Sequence, residues 1–398
     1  MENKPLHTPS NRRRSIGAVA GPLPMVWVLL FTAAGVVIAR HAALPAGFLA
    51  AGFFAAVLMA SVTLRHRICE AYIAVALLLF GMGLPALRLQ PAHGPETGNA
   101  LHEAASEHIR RLGLSPDAEA VALAMAAGDR TELTAERRAP YNRTGTAHVL
   151  AVSGLHVGMV FLYVNLLLGG LALLHRGHLV RNAAAVVIIW LFAAAAGLSP
   201  GTIRAAVMFT ALQFALATTS RYAGVNILAA AAFGMLLWRP AYLFHIGFLL
   251  SFLSVAAILV WGLPLYRRLH TPWRAVNGLV GMLIAGAAAS TATAPLVSYY
   301  FGQIPLIGLA VNPPVILLAY GVVGASLLWM ATPWPPLSVV VRPVLEGLLF
   351  LQNRLVAGAA AVPCAAIDYQ MTAAQVVTVY LFFTIFTLVV RRPWRKNR

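Results

Sequence analysis

Residues 241–264 read AYLFHIGFLLSFLSVAAILVWGLP, an apolar run that contains no acidic residue, lysine or arginine. A helix needs about 20 such residues to cross the hydrocarbon core of a membrane. Comparable runs recur along the whole chain, at 22–39, 42–64, 69–89, 146–174, 179–197, 200–219, 223–238, 275–298, 304–330, 343–362 and 371–390. The sequence therefore predicts an all-α polytopic integral membrane protein with about 10–12 transmembrane helices.

The composition excludes several other classes of protein. Of 398 residues, 60% are hydrophobic and 10% are charged, and the mean hydropathy is +0.78. Soluble domains carry about 25% charged residues, so a soluble enzyme and a disordered chain are both excluded. Two cysteines cannot build a secreted disulfide scaffold. An outer-membrane barrel would instead show strands of about ten residues with alternating polarity.

The acidic residues are distributed very unevenly. Eight of the twelve lie within residues 91–143, and none lies between Glu136 and Glu346, a span that holds twelve arginines. A carrier of cations or protons normally needs a carboxylate in its membrane path. The acid-free span instead favours a path for an anion or polyanion, although arginines at loop ends also follow the positive-inside rule.

The basic residues predict the orientation of the chain. Arg12, Arg13 and Arg14 place the amino terminus in the cytoplasm, and alternating spans then place both 91–143 outside and the carboxyl terminus inside. We expect a cytoplasmic tail (1–21), amino-terminal transmembrane helices (22–90), an extracytoplasmic amphipathic segment (91–143), a channel core (144–330), and carboxy-terminal transmembrane helices with a basic cytoplasmic tail (331–398).

The extracytoplasmic segment is the only soluble piece of the chain in this prediction. Residues 99–112 and 117–127 are expected to be helical, with Ser115 and Pro116 at the amino terminus of the second helix. The segment has few large apolar side chains and is too short to bury a substantial core of its own. It is expected to lie on the membrane part as an amphipathic cap.

A first group of polar residues lies in YNRTGTAHVLAVSGLHVG, residues 141–158. His148 and His156 are eight residues apart, which would place both on one face of a continuous helix. Ser153 and His156 could act as a nucleophilic pair, but no carboxylate is available to orient the histidine. A metal site would need ligands beyond the two histidines. The third interpretation is a polar channel lining or helix-packing contact, to which Gly154 also contributes.

A second group begins at Ser199, where a turn precedes a helix that carries Arg204 in its second turn. Arg204 could extend its side chain to the membrane interface. Alternatively, a guanidinium beside a helix amino terminus suits a phosphate group.

Two further groups carry uncharged polar residues. Ser251 lies in the apolar helix 245–255, where small hydroxyl residues commonly permit close helix packing. Tyr299 and Asn312 lie within residues 290–314, a polar stripe interrupted by Pro295 and Pro305. The pair Pro313–Pro314 is expected to break or kink its helix. Broken helices at membrane depth are tolerated only when they are buried in protein or line a cavity.

These motifs resemble the ComEC competence family, inner-membrane channels for single-stranded DNA in natural transformation. The most specific match is GTAHVLAVSGLHVG at 145–158, against the family block G-x-x-H-L-L-A-V-S-G-L-H-V. Residues 197–208, 240–252 and 295–314 resemble three further family blocks, so that the resemblance extends from about residue 98 to about residue 320.

The chain also departs from the family pattern. His245 stands where an acid is usual and Leu249 where glutamine is usual. We expect neither the extracytoplasmic oligonucleotide-binding-type domain nor the carboxy-terminal metallo-β-lactamase-like domain of larger members. If the incoming strand requires a nuclease, another polypeptide would have to supply it.

The resemblance implies a channel in the bacterial cytoplasmic (inner) membrane that moves single-stranded DNA to the cytoplasm without catalysis and without a cofactor or metal. The expected lining is His148, Ser153, Gly154, His156, Ser199, Arg204, Ser251, Tyr299 and Asn312. Expected partners are single-stranded DNA, membrane lipids, a DNA receptor, a translocating ATPase and a separate nuclease, and a homo-oligomer is compatible with this scheme. The alternatives are a transporter or flippase of an anionic small molecule or lipid, and an intramembrane hydrolase.

Overall fold

The computed structural model describes residues 24–42, 44–63, 68–87, 99–173, 177–217, 224–269, 271–332 and 334–391. The tails 1–21 and 392–398, on which the predicted cytoplasmic termini depend, lie outside the described residues. The chain divides into two compact units, one formed by residues 1–90 and 222–243 and the other by residues 91–221 and 244–398.

The described chain is almost entirely α-helical, as predicted. Its helices are α1 (Pro24–His41), α2 (Ala46–Val62), α3 (Ile68–Leu87), α4 (Ala100–Arg110), α5 (Pro116–Ala122), α6 (Ala135–Arg143), α7 (Gly154–Leu167), α8 (Gly177–Ala195), α9 (Pro200–Ala217), α10 (Gly224–Trp238), α11 (Ile246–Ala257), α12 (Leu263–Arg268), α13 (Arg274–Phe301), α14 (Gly308–Ala331), α15 (Pro335–Ala360) and α16 (Ala373–Arg391). Two short strands, β1 (Gln303–Pro305) and β2 (Ala366–Asp368), pair antiparallel.

The predicted membrane spans correspond closely to these helices. Within the described residues, five helices are long and apolar enough to cross a membrane, and five shorter apolar helices accompany them. The predicted spans 200–219 and 343–362 correspond to α9 and α15, which belong to neither group because polar and charged residues interrupt their apolar sequence. The chain is therefore a multi-pass, all-α membrane protein.

The first unit packs α1, α2, α3 and α10 together. α1 and α3 approach most closely where Gly35 faces the backbone of Leu78 and Gly81 faces the carbonyl of Thr32. Each glycine leaves no room for a Cβ atom, so the two backbones are in direct contact. The Asn226 side chain of α10 accepts a hydrogen bond from the amide of Met25 at the start of α1.

In the second unit, the helices predicted outside the membrane form part of a shared core. α5 continues as a π-helical turn, Leu123–Ala127, in which all five side chains are fully buried. This turn packs against α14, and α5 packs against both α14 and α15. The expectation that the segment has no core of its own is consistent with this arrangement, because its buried residues cluster with those of α14 and α15.

The segment is enclosed more deeply than the predicted amphipathic cap. The Trp329 indole near the end of α14 donates a 2.6 Å hydrogen bond to the carbonyl of His108 in α4, whereas Gly308 at the start of α14 contacts the carbonyl of Thr144. The chain from α4 to Thr144, the residue that directly follows the segment, therefore runs beside α14 along most of its length. Small alanine side chains permit this close packing. Ser115 and Pro116 start α5 as predicted, but the Ser115 side chain donates to Glu346 of α15 and does not cap its own helix.

Of the interruptions expected at Pro295, Pro305 and Pro313–Pro314, only the one at Pro305 coincides with a break between helices. α13 runs from Arg274 to Phe301 through Pro295, and α14 continues through Pro313 and Pro314. The proline pair lies near the beginning of α14, where few preceding carbonyls lose a hydrogen-bond partner. The chain instead breaks at Gly302, which has a left-handed φ of 68° and precedes β1.

An ion-pair cluster in the segment 91–143 gives a stability prediction. Arg110 contacts Asp129 at 2.8 Å and Glu132 at 3.4 Å, and the Asp129 side chain is only 10% exposed. Burial alone would raise the pKa of Asp129, but hydrogen bonds from Thr131 and the Arg110 charge outweigh it and lower the pKa below its usual value. Arg110→Gln is therefore expected to cost about 1–2 kcal/mol at neutral pH, measured by thermal unfolding of the purified protein.

The pH dependence follows from the direction of that pKa shift. A lowered carboxyl pKa stabilises the fold above the unfolded-state value, and this contribution is lost as pH falls through the folded-state pKa. The difference between wild type and Arg110→Gln should therefore shrink below about pH 4. Arg111→Gln is the matched control, since Arg111 pairs with the exposed Glu107 and should cost less than about 0.5 kcal/mol. Equal effects of the two substitutions would contradict the prediction.

Candidate functional site

The first polar group is organised by the beginning of α7. Residues Ala147–Leu150 form a 3-10 turn, Ala151 is extended, and the α-helix begins only at Gly154. The prediction that one helical face carries both His148 and His156 is therefore wrong. His148 is exposed, with its Nδ1 atom 3.2 Å from the carbonyl of Gly145. Ser153 and His156 cap the amino terminus of α7, so the helix starts after residue 153. His148 therefore lies in the separate turn before the helix and not on the helical face of His156.

Ser153 and His156 contact each other at this helix start. The His156 Nδ1 atom accepts a hydrogen bond from the Ser153 amide at 3.3 Å and lies 3.2 Å from the Ser153 hydroxyl. The His156 side chain is fully buried, and its Nε2 atom has no hydrogen-bond partner among the described residues. The pair fixes the amino terminus of α7 and leaves one imidazole nitrogen inside the protein.

The second polar group forms the beginning of α9. Gly197 and Leu198 both have left-handed φ angles, of 75° and 50°, and this conformation is uncommon for leucine. The Ser199 hydroxyl accepts a hydrogen bond from the Thr202 amide at 3.3 Å and lies 2.7 Å from the Thr202 hydroxyl. The strained turn thus ends in a capped helix terminus.

Arg204 lies between the starts of three helices. A Cβ atom on Gly201 would lie 3.5 Å from the Arg204 Nη2 atom and 3.3 Å from the carbonyl oxygen of Val152, directly before α7. A Cβ atom on Gly247 of α11 would lie 3.3 Å from the same Nη2 atom. Glycines at both positions therefore make room for the guanidinium, which is buried, with 7% of the residue exposed. The Arg204 side chain is therefore enclosed by protein, and it need not extend to the membrane interface to avoid lipid.

The electrostatics of this arrangement favour an anion. The amino termini of α7, α9 and α11 each carry a partial positive charge and amide groups that are not used within the helix. His245 caps α11 by accepting a hydrogen bond from the Gly247 amide at 3.2 Å. The residue beside Arg204 at this cap is thus an imidazole, at a position where the resembling family usually has an acid. We name the set of Ser153, His156, Ser199, Arg204 and His245 the Arg204 site.

The fourth polar group joins the first through a close backbone contact. A Cβ atom on Gly308 of α14 would lie 2.9 Å from the carbonyl oxygen of Thr144 and 3.6 Å from the Asn312 side-chain amide. The Asn312 Oδ1 atom is buried and has no hydrogen-bond partner among the described residues. Asn312 is thus placed beside the chain segment that leads to His148.

The remaining predicted lining residues lie at different distances from the Arg204 site. Ser251 lies one turn after Gly247 on the same side of α11 and is partly buried. Tyr299 lies near the end of α13, is 37% exposed and packs edge-on against Tyr300. Its carbonyl accepts a hydrogen bond from Gln370.

No sequence motif indicates a polar cleft whose lining shares no residue with the Arg204 site. It has a volume of about 310 Å³ and is lined by Ala139, Asn142, Arg143, Gln303, Ala366 and Asp368. The lining comes from α6 and from both strands, which are far apart in sequence. The pairing of β1 with β2 and the packing of α6 against β1 bring them together, and no local sequence signal indicates either contact.

Comparisons with known proteins give three findings. The chain is 26% identical over 205 residues to ComE operon protein 3 of Bacillus subtilis (strain 168), covering 50% of this chain and 24% of that protein. It is 27% identical over 246 residues to an uncharacterized protein of Aquifex aeolicus (strain VF5), covering 61% of this chain and 53% of that protein. No solved structure matches the chain.

The chain therefore spans from about a quarter to about half the length of these two relatives. The family model for competence proteins matches residues 125–394. That match covers more than half of the chain and includes every residue of the Arg204 site and of the cleft. The chain belongs to the competence protein family, the ComEC family that its sequence motifs resemble.

Proposed function

We propose that the protein is an inner-membrane channel that moves single-stranded DNA into the cytoplasm during natural transformation. The observation that carries the proposal is the meeting of three helix amino termini around the buried Arg204, in a part of the chain without acidic residues. Family membership supports the same conclusion, because competence is the uptake of DNA.

A phosphate-rich cargo is compatible with the chemistry of the Arg204 site. Helix amino termini and guanidinium groups both stabilise phosphate, and hydroxyl groups such as Ser153 and Ser199 can donate hydrogen bonds to it. Affinity for a nucleic acid rises steeply with the number of phosphates that are neutralised. A single arginine among hydroxyls and imidazoles therefore suits passage of a strand better than a row of arginines would.

The predicted orientation gives the site a position on the path. With the amino terminus in the cytoplasm, α7, α9 and α11 all begin at the outer face, so an incoming strand would meet the Arg204 site first. We propose that both termini are cytoplasmic. A DNA receptor, a translocating ATPase and a separate nuclease would act beside the channel, which performs no chemistry on the strand.

Deletion of the gene in its host tests the proposal. Labelled DNA should still bind to the cell surface, but the label should no longer become protected inside the cytoplasm, and transformation should be lost. Complementation with the intact gene should restore both. A deletion strain that transforms normally would refute the proposed function.

An anionic small molecule or lipid is the rival cargo, because the Arg204 site would attract those phosphates as well. Liposomes that contain the purified protein separate the two cargoes. Under the DNA proposal, inorganic phosphate and fluorescent anionic lipid should cross or exchange no faster than in protein-free liposomes. Protein-dependent movement of either probe, abolished by Arg204→Gln, would support the rival.

The contact between Ser153 and His156 allows a test of the hydrolase alternative. Asparagine is an effective helix cap but has no nucleophilic hydroxyl. If Ser153 serves as a cap, DNA uptake by Ser153→Asn should remain within about threefold of wild type, and Ser153→Ala should lose only about 1 kcal/mol of stability. Ser153→Leu, which removes the cap and adds bulk, should fail. Complete loss of uptake in a folded Ser153→Asn protein would favour the hydrolase.

A further inference from the structure

The polar cleft between α6 and the β1–β2 pair is large enough to hold a small ligand. Its volume of about 310 Å³ lies at the lower end of the range of small-molecule clefts, about 300–1,000 Å³. Four of its six lining residues are polar or charged: Asn142, Arg143, Gln303 and Asp368. The two other residues are alanines, so the cleft offers hydrogen bonds rather than an apolar surface.

The polar groups of the cleft are available to a ligand. Within the described part of the chain, none of these four side chains forms a hydrogen bond or an ion pair with another residue. Asn142, Arg143 and Asp368 are exposed, and Gln303 is half-buried. The backbones of Gln303 and Asp368 are held opposite each other by the strand pairing. The cleft therefore presents unpaired side-chain donors and acceptors, two of them on a paired backbone, together with one positive and one negative charge.

Exposed aromatic side chains flank the same strands. Tyr299, Tyr300 and Phe301 end α13 directly before β1 and are 37%, 48% and 57% exposed. Tyr369, which follows β2 directly, is 44% exposed, and its amide donates a hydrogen bond to the carbonyl of Gly302. Proteins that bind single-stranded nucleic acid stack its bases on exposed aromatic rings beside positively charged groups, and the positive group of this cleft is Arg143.

We propose that this cleft binds one nucleotide of a single strand, with the phosphate on Arg143 and the base edge on Asn142, Gln303 and Asp368. The proposal rests on the proposed function and names a second contact point on the same cargo. A carboxylate accepts hydrogen bonds from exocyclic amino groups, which cytosine has and thymine lacks. The negative charge of Asp368 would repel phosphate, so the carboxylate is assigned to the base and the guanidinium to the backbone.

Binding of labelled oligonucleotides to the purified full chain in lipid nanodiscs tests the site. Fluorescence anisotropy should give tighter binding of short oligo-dC than of oligo-dT, by about three- to tenfold. Asp368→Ala should abolish this preference. Arg143→Gln should weaken binding of both oligonucleotides and reduce the salt dependence of the logarithm of affinity by about 0.7.

Arg138→Gln is the matched control, because it removes the same charge from the same helix at a position outside the cleft lining. It should retain the oligo-dC preference. An unchanged preference in Asp368→Ala, or equal losses in Arg138→Gln and Arg143→Gln, would overturn the proposal.

Chemical protection gives a second measurement that does not depend on removing a cleft residue's charge. In a Cys364→Ser background, the thiol introduced by Ala366→Cys should react with maleimide, and oligo-dC should slow that reaction by at least about threefold at saturation. Absence of protection at saturating oligonucleotide would also overturn the site. If oligonucleotide does not protect this thiol but DNA uptake still depends on Arg204, the nucleotide site in the cleft is wrong and the proposed function stands. Normal transformation in the deletion strain would remove the function, whatever the cleft binds.

Discussion

Replacement of Arg204 by glutamine is expected to lower entry of labelled single-stranded DNA into the cytoplasm by about ten- to hundredfold. A hydrogen bond to a charged group contributes about 1.5–3 kcal/mol, and each 1.4 kcal/mol corresponds to a factor of ten. The Arg204 guanidinium lies beside both Gly201 of α9 and Gly247 of α11, so its replacement removes a full positive charge from the Arg204 site. The assay measures nuclease-resistant label in the cytoplasm, together with transformation frequency.

Two further variants separate the charge of Arg204 from its position. Arg204→Lys keeps the charge but loses the planar donor fork, so an intermediate loss of uptake is expected. Gly247→Ala keeps the guanidinium, yet its new methyl group would lie 3.3 Å from the Arg204 Nη2 atom and 3.2 Å from the His245 Nδ1 atom. The guanidinium must then shift, and uptake should fall although no charge is lost.

Arg267→Gln serves as the control for removal of one positive charge. Arg267 is exposed on α12, at the predicted cytoplasmic end of its helix, and its replacement should leave uptake within about twofold of wild type. All variants must accumulate in the membrane and unfold at similar temperatures. Wild-type uptake in a folded Arg204→Gln protein would contradict the role of the Arg204 site.

The membrane helices could be predicted because apolar length is a local property of the sequence. Each of the twelve predicted spans corresponds to a helix or helical pair, and Ser115 with Pro116 gave the start of α5 correctly. Hydrophobic runs and capping residues carry their information within about 20 residues. The same local information gave the turn before Ser199 and the helix on which Arg204 lies.

The structural features that could not be predicted correctly depend on contacts between segments that are distant in the sequence, or on the residue at which one helix begins. The buried turn Leu123–Ala127 was interpreted as part of a surface cap, because alanine is small enough for either environment and its neighbours on α14 and α15 are far away in sequence. The approach of Arg204 to Gly247 is likewise non-local. His148 and His156 were placed on one face because regular helical spacing was assumed across Ser153, which instead begins the helix.

Gly81→Ala is expected to give a large loss of stability in the amino-terminal unit. A Cβ atom on Gly81 would overlap the carbonyl oxygen of Thr32, so α1 and α3 would have to separate. Because the obstructing atoms belong to the backbone, no side-chain rotation can relieve the overlap. Overpacking of this kind costs about 3 kcal/mol, and the unfolding temperature of the purified protein should fall by about 5 °C or more.

Gly83→Ala is the matched control in the same helix, since its Cβ atom would meet nothing within 4 Å. It should be neutral or slightly stabilising, because alanine favours helix by about 1 kcal/mol over glycine. Gly35→Ala should be as damaging as Gly81→Ala, because its Cβ atom would overlap the carbonyl of Leu78. Since one separation of α1 from α3 relieves both overlaps, the double variant should cost less than the sum of the single variants. Strict additivity, or equal stability of Gly81→Ala and Gly83→Ala, would mean that this close backbone contact does not hold the unit together.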